Sequence, residues 1–251
     1  MKKVFNRPKS LKETAFLHCD GCGHSIIHRV LCEVIDEMHL QDKIIGFPPP
    51  GCSVFAYNYL DIDMAECAHG RGAAVATGYK RALPENVVFA YQGDGDLAAI
   101  GIAEVIHAAN RGERITIIFV NNAVYGMTGG QMAPTSLLDQ KTTTSPYGRS
   151  MSSEGAPIKM SEMLALLDGA AYIERTAVYS PSSIRKTKKA IHKAFQTQID
   201  NLGFSLVEIL SPCPVNWKMS ELQAWQWVEQ AMIKEFPLGV KKDTTRQANA
   251  N

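Results

Sequence analysis

The chain has 251 residues, is 45% hydrophobic and 20% charged, and carries 26 Lys+Arg against 25 Asp+Glu, a formal net charge of +1. That composition excludes a disordered, collagen-like or fibrous chain, and near-neutrality removes the electrostatic argument for nucleic acid or a membrane surface as partner. The length suits one α/β domain or at most two small ones. No apolar run reaches the roughly 18–20 residues of a membrane span. The opening stretch MKKVFNRPKSLKET has no apolar core of the secretory type, so a soluble, cytoplasmic protein is expected.

Residues 1–18 read as an N-terminal arm, 19–240 as one domain and 241–251 as a flexible polar tail. From Ser25 the apolar residues Ile26, Ile27, Val30, Leu31, Val34, Ile35 and Met38 recur at helical spacing. Ile44 to Phe47 is a short strand, stopped by Pro48-Pro49-Pro50-Gly51. Ala73 to Leu83 is a small-residue helix ended by Pro84, and Val87 to Tyr91 a buried-type strand running into Gln92-Gly93-Asp94-Gly95. A helix over Ala98 to Ala109 and a strand over Ile115 to Val120 follow, the strand ending in Asn121-Asn122. The stretch from Gly126 to Ser161 is rich in Gly, Thr, Ser and Pro, and so long a connection inside a compact domain signals function. Tyr172 to Val178 and Phe204 to Leu210 read as strands around a basic helix, Pro181 to Leu202, and Ser220 to Ile233 as a last helix carrying Trp225 and Trp227. The fold class is α/β, a mostly parallel sheet covered by helices on both faces.

Ligands of such sheets bind beyond the carboxyl ends of the strands, where Gly93-Asp94-Gly95 and Asn121-Asn122 fall. Asp94 offers a carboxylate, Asn122 an amide oxygen, and the glycines allow close approach of a ligand to the backbone. That set suits Mg²⁺, which takes oxygen ligands and keeps phosphate oxygens in its shell; the helix after the turn directs its N-terminus towards a diphosphate. Gly-Asp-Gly by itself is also an ordinary βα turn. Neither a P-loop nor Gly-x-Gly-x-x-Gly occurs.

The run Gly93-Asp94-Gly95-Asp96 through Asn121-Asn122, followed by Ala123-Val124-Tyr125-Gly126-Met127-Thr128-Gly129-Gly130-Gln131, resembles the diphosphate-binding module of thiamine diphosphate enzymes. With Cys19-x-x-Cys22-Gly23-His24, Gly51-Cys52-Ser53 and His69-Gly70-Arg71, it resembles the beta subunit of 2-oxoacid:ferredoxin oxidoreductases, and most the branched-chain 2-oxoisovalerate type, over about residues 15–235. The resemblance implies Mg²⁺ on Asp94, Asn122 and the Val124 carbonyl. Gly93, Gly95, Asp96, Tyr125, Gly126, Met127 and Thr128 would complete the thiamine diphosphate seat. It implies a [4Fe-4S] cluster on Cys19, Cys22, Cys52 and Cys213, thiolates being the usual cluster ligands. Tetrahedral zinc and a CxxC redox pair are the alternatives for these cysteines, although a four-cysteine zinc site usually has two CxxC knuckles and this chain has one.

Further expectations concern the reacting end. Cys52, Met127, His69 and Arg71 are the candidate catalytic or substrate-contacting residues; for Arg71 a helix-start ion pair is the competing role. Met127 stands where pyruvate-type relatives tend to have Asn, and Phe55 where 2-oxoglutarate-type relatives often carry Lys, which favours a larger apolar 2-oxo acid. The family reaction is coenzyme A-dependent oxidative decarboxylation of a 2-oxo acid, with electrons passed through the cluster to a ferredoxin-like gamma or delta subunit or to ferredoxin. The Glu that assists at the aminopyrimidine comes from a different module in this class. An alpha-type partner is therefore expected to complete the site.

Overall fold

The computed structural model describes residues 6–245. Among them seven strands form one sheet: β1 (Ile44–Phe47), β2 (Asp63–Met64), β3 (Val87–Gly93), β4 (Thr116–Asn121), β5 (Ala170–Ala177), β6 (Phe204–Leu210) and β7 (Gly239–Asp243). Their order is β2-β1-β3-β4-β6-β5-β7, all pairings parallel except β5 with β7. The helices are α1 (His24–Glu37), α2 (Ala56–Tyr59), α3 (Gly72–Ala82), α4 (Ile102–Asn110), α5 (Met160–Ala165), α6 (Pro181–Ile199), α7 (Pro214–Trp217), α8 (Glu221–Trp227) and α9 (Ile233–Glu235).

β3, β4 and β6 are buried and mostly apolar along their length because both faces of the sheet are covered, with Ser205 and Glu208 the polar residues inside β6. Alternation then sorts them. Phe89, Tyr91, Ile118 and Val120 pack against Ile27, Leu31 and Ile35 of α1 and Ile191 and Phe195 of α6. Val88, Ala90, Ile117 and Phe119 pack against Ala73 and Ala76 of α3 and Val105 of α4. A third cluster joins Trp217, Val228, Met232 and Phe236 to Ala123, Val124 and Cys213 beneath the long loop. α6 starts at a Ser180/Ser183 capping box with Pro181 in its first turn. At its far end Gln198 brackets Val88, accepting from its N–H at 2.6 Å and donating to its carbonyl at 2.8 Å.

Several expectations need correction. The chain from Lys241 is no loose tail: Gly239–Asp243 adds an antiparallel edge strand to β5, and the Lys242 ammonium donates to Leu167 O at 2.6 Å. Charged edge strands resist further pairing, and that polarity reads in sequence like a tail. Residues 246–251 lie outside the described residues, as do 1–5 of the expected arm. The rest of that arm is docked at Ser10 and Leu11, both buried, with Ser10 N donating to Asp36 Oδ1 at 3.1 Å. The helix expected over Ala98 to Ala109 begins as a π turn, Asp96–Ile100, before α4. No helix among the described residues is long and apolar enough to cross a membrane.

A buried ionic line crosses β5 and β6. Arg175, wholly buried, donates to Glu208 Oε2 at 2.8 Å and forks onto Glu162 at 2.7 and 2.5 Å, its guanidinium 5.2 Å from the Phe236 ring centre. Glu208, equally buried, accepts from Asn121 Nδ2 at 2.8 Å. Removing one partner strands a charge in the core, so Arg175→Ala is expected to cost about 3–5 kcal/mol. Urea unfolding checks this; a loss near zero would contradict it.

Candidate active site

A cleft opens at the carboxyl ends of β1, β3 and β4, where the chain leaves β1 towards one edge of the sheet and β3 towards the other, the usual ligand position in such sheets. β1 delivers Gly51 and Cys52; β3 delivers Gly93, Asp94, Gly95 and Asp96; the loop after β4 delivers Asn122, Val124, Tyr125, Gly126, Met127 and Thr128; His69 closes one side.

Asp94 is buried and its Oδ2 accepts from Thr135 Oγ1 at 2.9 Å and from Val124 N at 3.2 Å. Asn122 Oδ1 lies 2.7 Å from the Val124 carbonyl oxygen and 3.3 Å from Asp94 Oδ1. Val124 N also donates to Asn122 Oδ1, at 3.3 Å, but the same oxygen faces two acceptors with no hydrogen between it and either. Either the amide is turned over and donates, or a cation belongs among them. Adjacent ligands of an octahedral Mg²⁺ stand roughly 3 Å apart, given bonds of about 2.0–2.1 Å, and the two observed separations bracket that value. The donor set is all oxygen with one buried carboxylate, which fits a hard divalent cation. Burial raises the Asp94 carboxyl to about 6, opposed by the hydrogen bonds from Thr135 and the backbone.

The local backbone is built to aim these oxygens. Ala123 is left-handed, φ 57°, a conformation costly for a residue with a Cβ. It is held by Asn121 Oδ1, which accepts from Ala123 N at 3.1 Å, and by Ser136 Oγ and Gln140 Nε2, which donate to Ala123 O at 2.6 and 3.0 Å. Trp217 Nε1 donates to Asn122 O at 3.0 Å. Arg149 ties down the loop that carries Thr135 and Ser136, donating to the carbonyls of Pro134 and Ser136 at 2.9 and 2.8 Å. No spacing in the sequence marks Thr135, Ser136, Gln140, Arg149 or Trp217 as supports of this site.

A Cβ on Gly93 would meet nothing within 4 Å, whereas one on Gly95 would lie 2.1 Å from the Tyr125 ring. Gly93 thus leaves room over the turn, and Gly95 is required by the ring packed on it. His69 Nδ1 pairs with Asp96 Oδ1; Asp96 also accepts from Gly70 N and Gln92 Nε2, so this buried carboxylate orients the imidazole at the cleft wall. Arg71 does not join the cleft. It stands at the N-terminal end of α3 and pairs with Glu104 at the surface, the helix-start ion pair that was the competing role. Met127 is half-exposed at the cleft. Phe55 turns from it and meets the His18 ring edge-on at 5.7 Å.

The four cysteines lie around one end of this cleft. Cys19 and Cys22 precede α1, Cys52 follows β1, and Cys213 follows β6. Cys22 and Cys52 are each pushed up to about 12, first by burial and then by the neighbouring thiols, Cys213 and Cys19 among them in both cases. Asn216 links them to the cofactor loop, donating to Cys213 Sγ at 3.3 Å and to Gly126 O at 3.0 Å. Trp225 Nε1 donates to Gly21 O at 3.1 Å, and left-handed Gly21 has no room for a Cβ against Glu221, so α8 seats the CxxC turn. Cys32 and Cys67 stand apart, Cys32 donating to Ser10 O at 3.3 Å and Cys67 packing on the second core.

The fold and the strand-end oxygens define a thiamine diphosphate-binding module, and comparison agrees: the family described as thiamine pyrophosphate enzyme, C-terminal TPP binding domain, matches residues 51–209. Within it, the chain belongs to the 2-oxoacid:ferredoxin oxidoreductase subunits. It is 45% identical over 98% of its length to the ketoisovalerate oxidoreductase subunit VorA of Methanothermobacter marburgensis, covering 54% of that protein. It is 38% identical to the 2-oxoglutarate synthase subunit KorB of Archaeoglobus fulgidus, over 80% of this chain and 71% of that one. The chain thus spans about half the length of the VorA relatives it matches. A solved 2-oxoglutarate:ferredoxin oxidoreductase from Magnetococcus marinus, with 2-oxoglutarate, coenzyme A and succinyl-CoA bound, shares the fold. Its TM-score is 0.78 at 24% identity, over 99% of this chain and 91% of that one.

The buried Asp94 carboxylate carries a stability signature. Its pKa is raised from 3.8 to about 6, so the charge destabilises the metal-free fold: not at all below about 3.8, increasingly up to 6, and fully above it. About two pH units correspond to about 3 kcal/mol. Asp94→Asn, unfolded by urea in EDTA, is expected to be more stable than the unsubstituted chain above pH 6 by up to that amount, and to match it near pH 3.8. A destabilised variant above pH 6 would contradict the account.

Proposed function

We propose that the chain is the subunit of a 2-oxoacid:ferredoxin oxidoreductase that binds Mg²⁺-thiamine diphosphate and a [4Fe-4S] cluster, for coenzyme A-dependent oxidative decarboxylation of a branched-chain 2-oxo acid. The convergence of Asp94, Asn122 and Val124 oxygens at the strand ends carries the reading. Bound thiamine diphosphate supplies the carbon nucleophile and electron sink for decarboxylation, and a cluster accepts electrons singly. In this reading Asp94, Asn122 and the Val124 carbonyl hold the cation that neutralises the diphosphate. Gly93 leaves the backbone open to it, and His69, oriented by Asp96, offers a ring nitrogen at the cleft wall. Tyr125 and Met127 bring apolar surface to the reacting end.

Cys19, Cys22, Cys52 and Cys213 would hold the cluster. All four are free thiols gathered at one end of the cleft, which supports a shared centre. Identity to a ketoisovalerate oxidoreductase subunit, higher than to the 2-oxoglutarate synthase subunits, supports a branched-chain substrate. An alpha-type partner completes the aminopyrimidine side; ferredoxin-like gamma or delta subunits, or ferredoxin, carry electrons onward; coenzyme A takes the acyl group.

Anaerobically purified protein is expected to contain about four irons per chain; a colourless, zinc-loaded protein would overturn the cluster. Alone the chain should oxidise no 2-oxo acid. With an alpha-type partner added, kcat/KM for 2-oxoisovalerate should exceed that for 2-oxoglutarate at least tenfold. Full activity without a partner would refute the shared site, and equal rates on both acids would refute the substrate.

A further inference from the structure

Three histidines stand behind the CxxC turn; one of them, His24, also reaches the wall of the cleft, but none has a role in the chemistry above. His24 and His28 are four residues apart in the first turns of α1 and so lie on one face. His18 reaches them from the preceding loop. Its ring stacks on His24 at 4.9 Å and 10°, and His28 lies 5.2 Å from His18 and 5.9 Å from His24. One ligand nitrogen from each lies within 4.8 Å of the others. The surrounding groups are aromatic: Phe16, Phe55, Tyr59 and Tyr91.

The hydrogen-bond state of this group is unusual. His28 is fully buried, yet neither ring nitrogen has a partner, and His18 Nε2 is also buried and unpaired. A neutral imidazole carries one N–H and one lone pair, and leaving buried polar groups unpaired costs about 1–3 kcal/mol each. Only His24 is satisfied in part, its Nδ1 paired with Tyr91 Oη at 2.7 Å. A second-layer hydrogen bond of that kind fixes the tautomer and ring orientation of metal-bound histidines.

We propose that His18, His24 and His28 bind one divalent transition-metal ion of the zinc class, at a site distinct from the Asp94 oxygens and from the four cysteines. Imidazole nitrogen suits such ions, and a histidine pair at i, i+4 on a helix is a recurrent zinc-binding arrangement. The fit needs a short approach and a turn of the His18 ring, whose plane now lies within 10° of that of His24. The centre of a triangle with 4.8 Å sides lies about 2.8 Å from its corners, so each nitrogen closes by about 0.7 Å to reach a metal–imidazole bond of about 2.1 Å. His18 sits in a loop and is partly exposed, which leaves it free to adjust and admits water as fourth ligand. Because His18 precedes Cys19 and His24 follows Gly23, the ion would clamp both ends of the CxxC turn, a structural role.

The test uses the full chain, prepared anaerobically with its iron retained, in excess Mg²⁺ to fill the oxygen site, and titrated with Co²⁺ as the zinc probe. One further Co²⁺ per chain is expected, with visible d–d absorption, no near-ultraviolet thiolate-to-cobalt charge-transfer band, and displacement by Zn²⁺. His28→Gln and His18→Gln should each weaken it at least tenfold. His18→Gln, in a partly exposed loop, keeps the test open if the buried variant fails to fold. No uptake beyond iron, a thiolate charge-transfer band, or unchanged affinity in His18→Gln would overturn the site. Each of these readouts is independent of the proposed activity.

Discussion

The cleft depends on bringing the Asp94 carboxylate and the Val124 carbonyl onto the one Asn122 amide, at 3.3 and 2.7 Å. Asp94, Asn122 and Val124 come from two adjacent strands, and each oxygen is aimed by something other than itself. Parallel pairing of β3 with β4 sets the spacing of the two strand ends. Thr135 and the Val124 N–H hold the carboxylate, and the left-handed Ala123 swings the Val124 carbonyl inward. A carboxylate buried in this way is unfavourable unless a cation joins it. The fold therefore stores, at one point, a demand for positive charge.

The supports of that point run deep into the molecule. Asn121 fixes Ala123 with its amide oxygen and spends its amide N–H on Glu208, which Arg175 neutralises; Arg175 in turn reaches Glu162 and Pro237 O. The line passes from the site through β4, β6 and β5 to the C-terminal edge. On the opposite side Arg149 anchors the long loop, and Asn216 and Trp217 connect α7 to Gly126, Cys213 and Asn122. The oxygen site and the cysteines thus share supports, and whatever orders α7 orders both.

How much of this the amino-acid order reveals follows from range. β3 and β4 read directly because strands covered on both faces are mostly apolar runs, and Gly93-Asp94-Gly95 with Asn121-Asn122 sits where those runs end. Pattern fails where polar residues are internal. Asn121 and Glu208 are 87 positions apart and Arg175 and Glu208 33, so in sequence they look like interruptions of good strands. β2 is two residues long and β7 is mostly charged or glycine, too short and too polar for periodicity to detect. Arg71 shows the converse: its motif is conspicuous in sequence, and its side chain is engaged by Glu104 at the surface.

Calorimetric titration of the intact chain with thiamine diphosphate, in Mg²⁺ and then in EDTA, tests the central claim most directly. If the Asp94, Asn122 and Val124 oxygens seat the diphosphate through a cation, binding is saturable with Mg²⁺ and lost in EDTA. Equal affinity in both conditions would mean that these oxygens are not the seat.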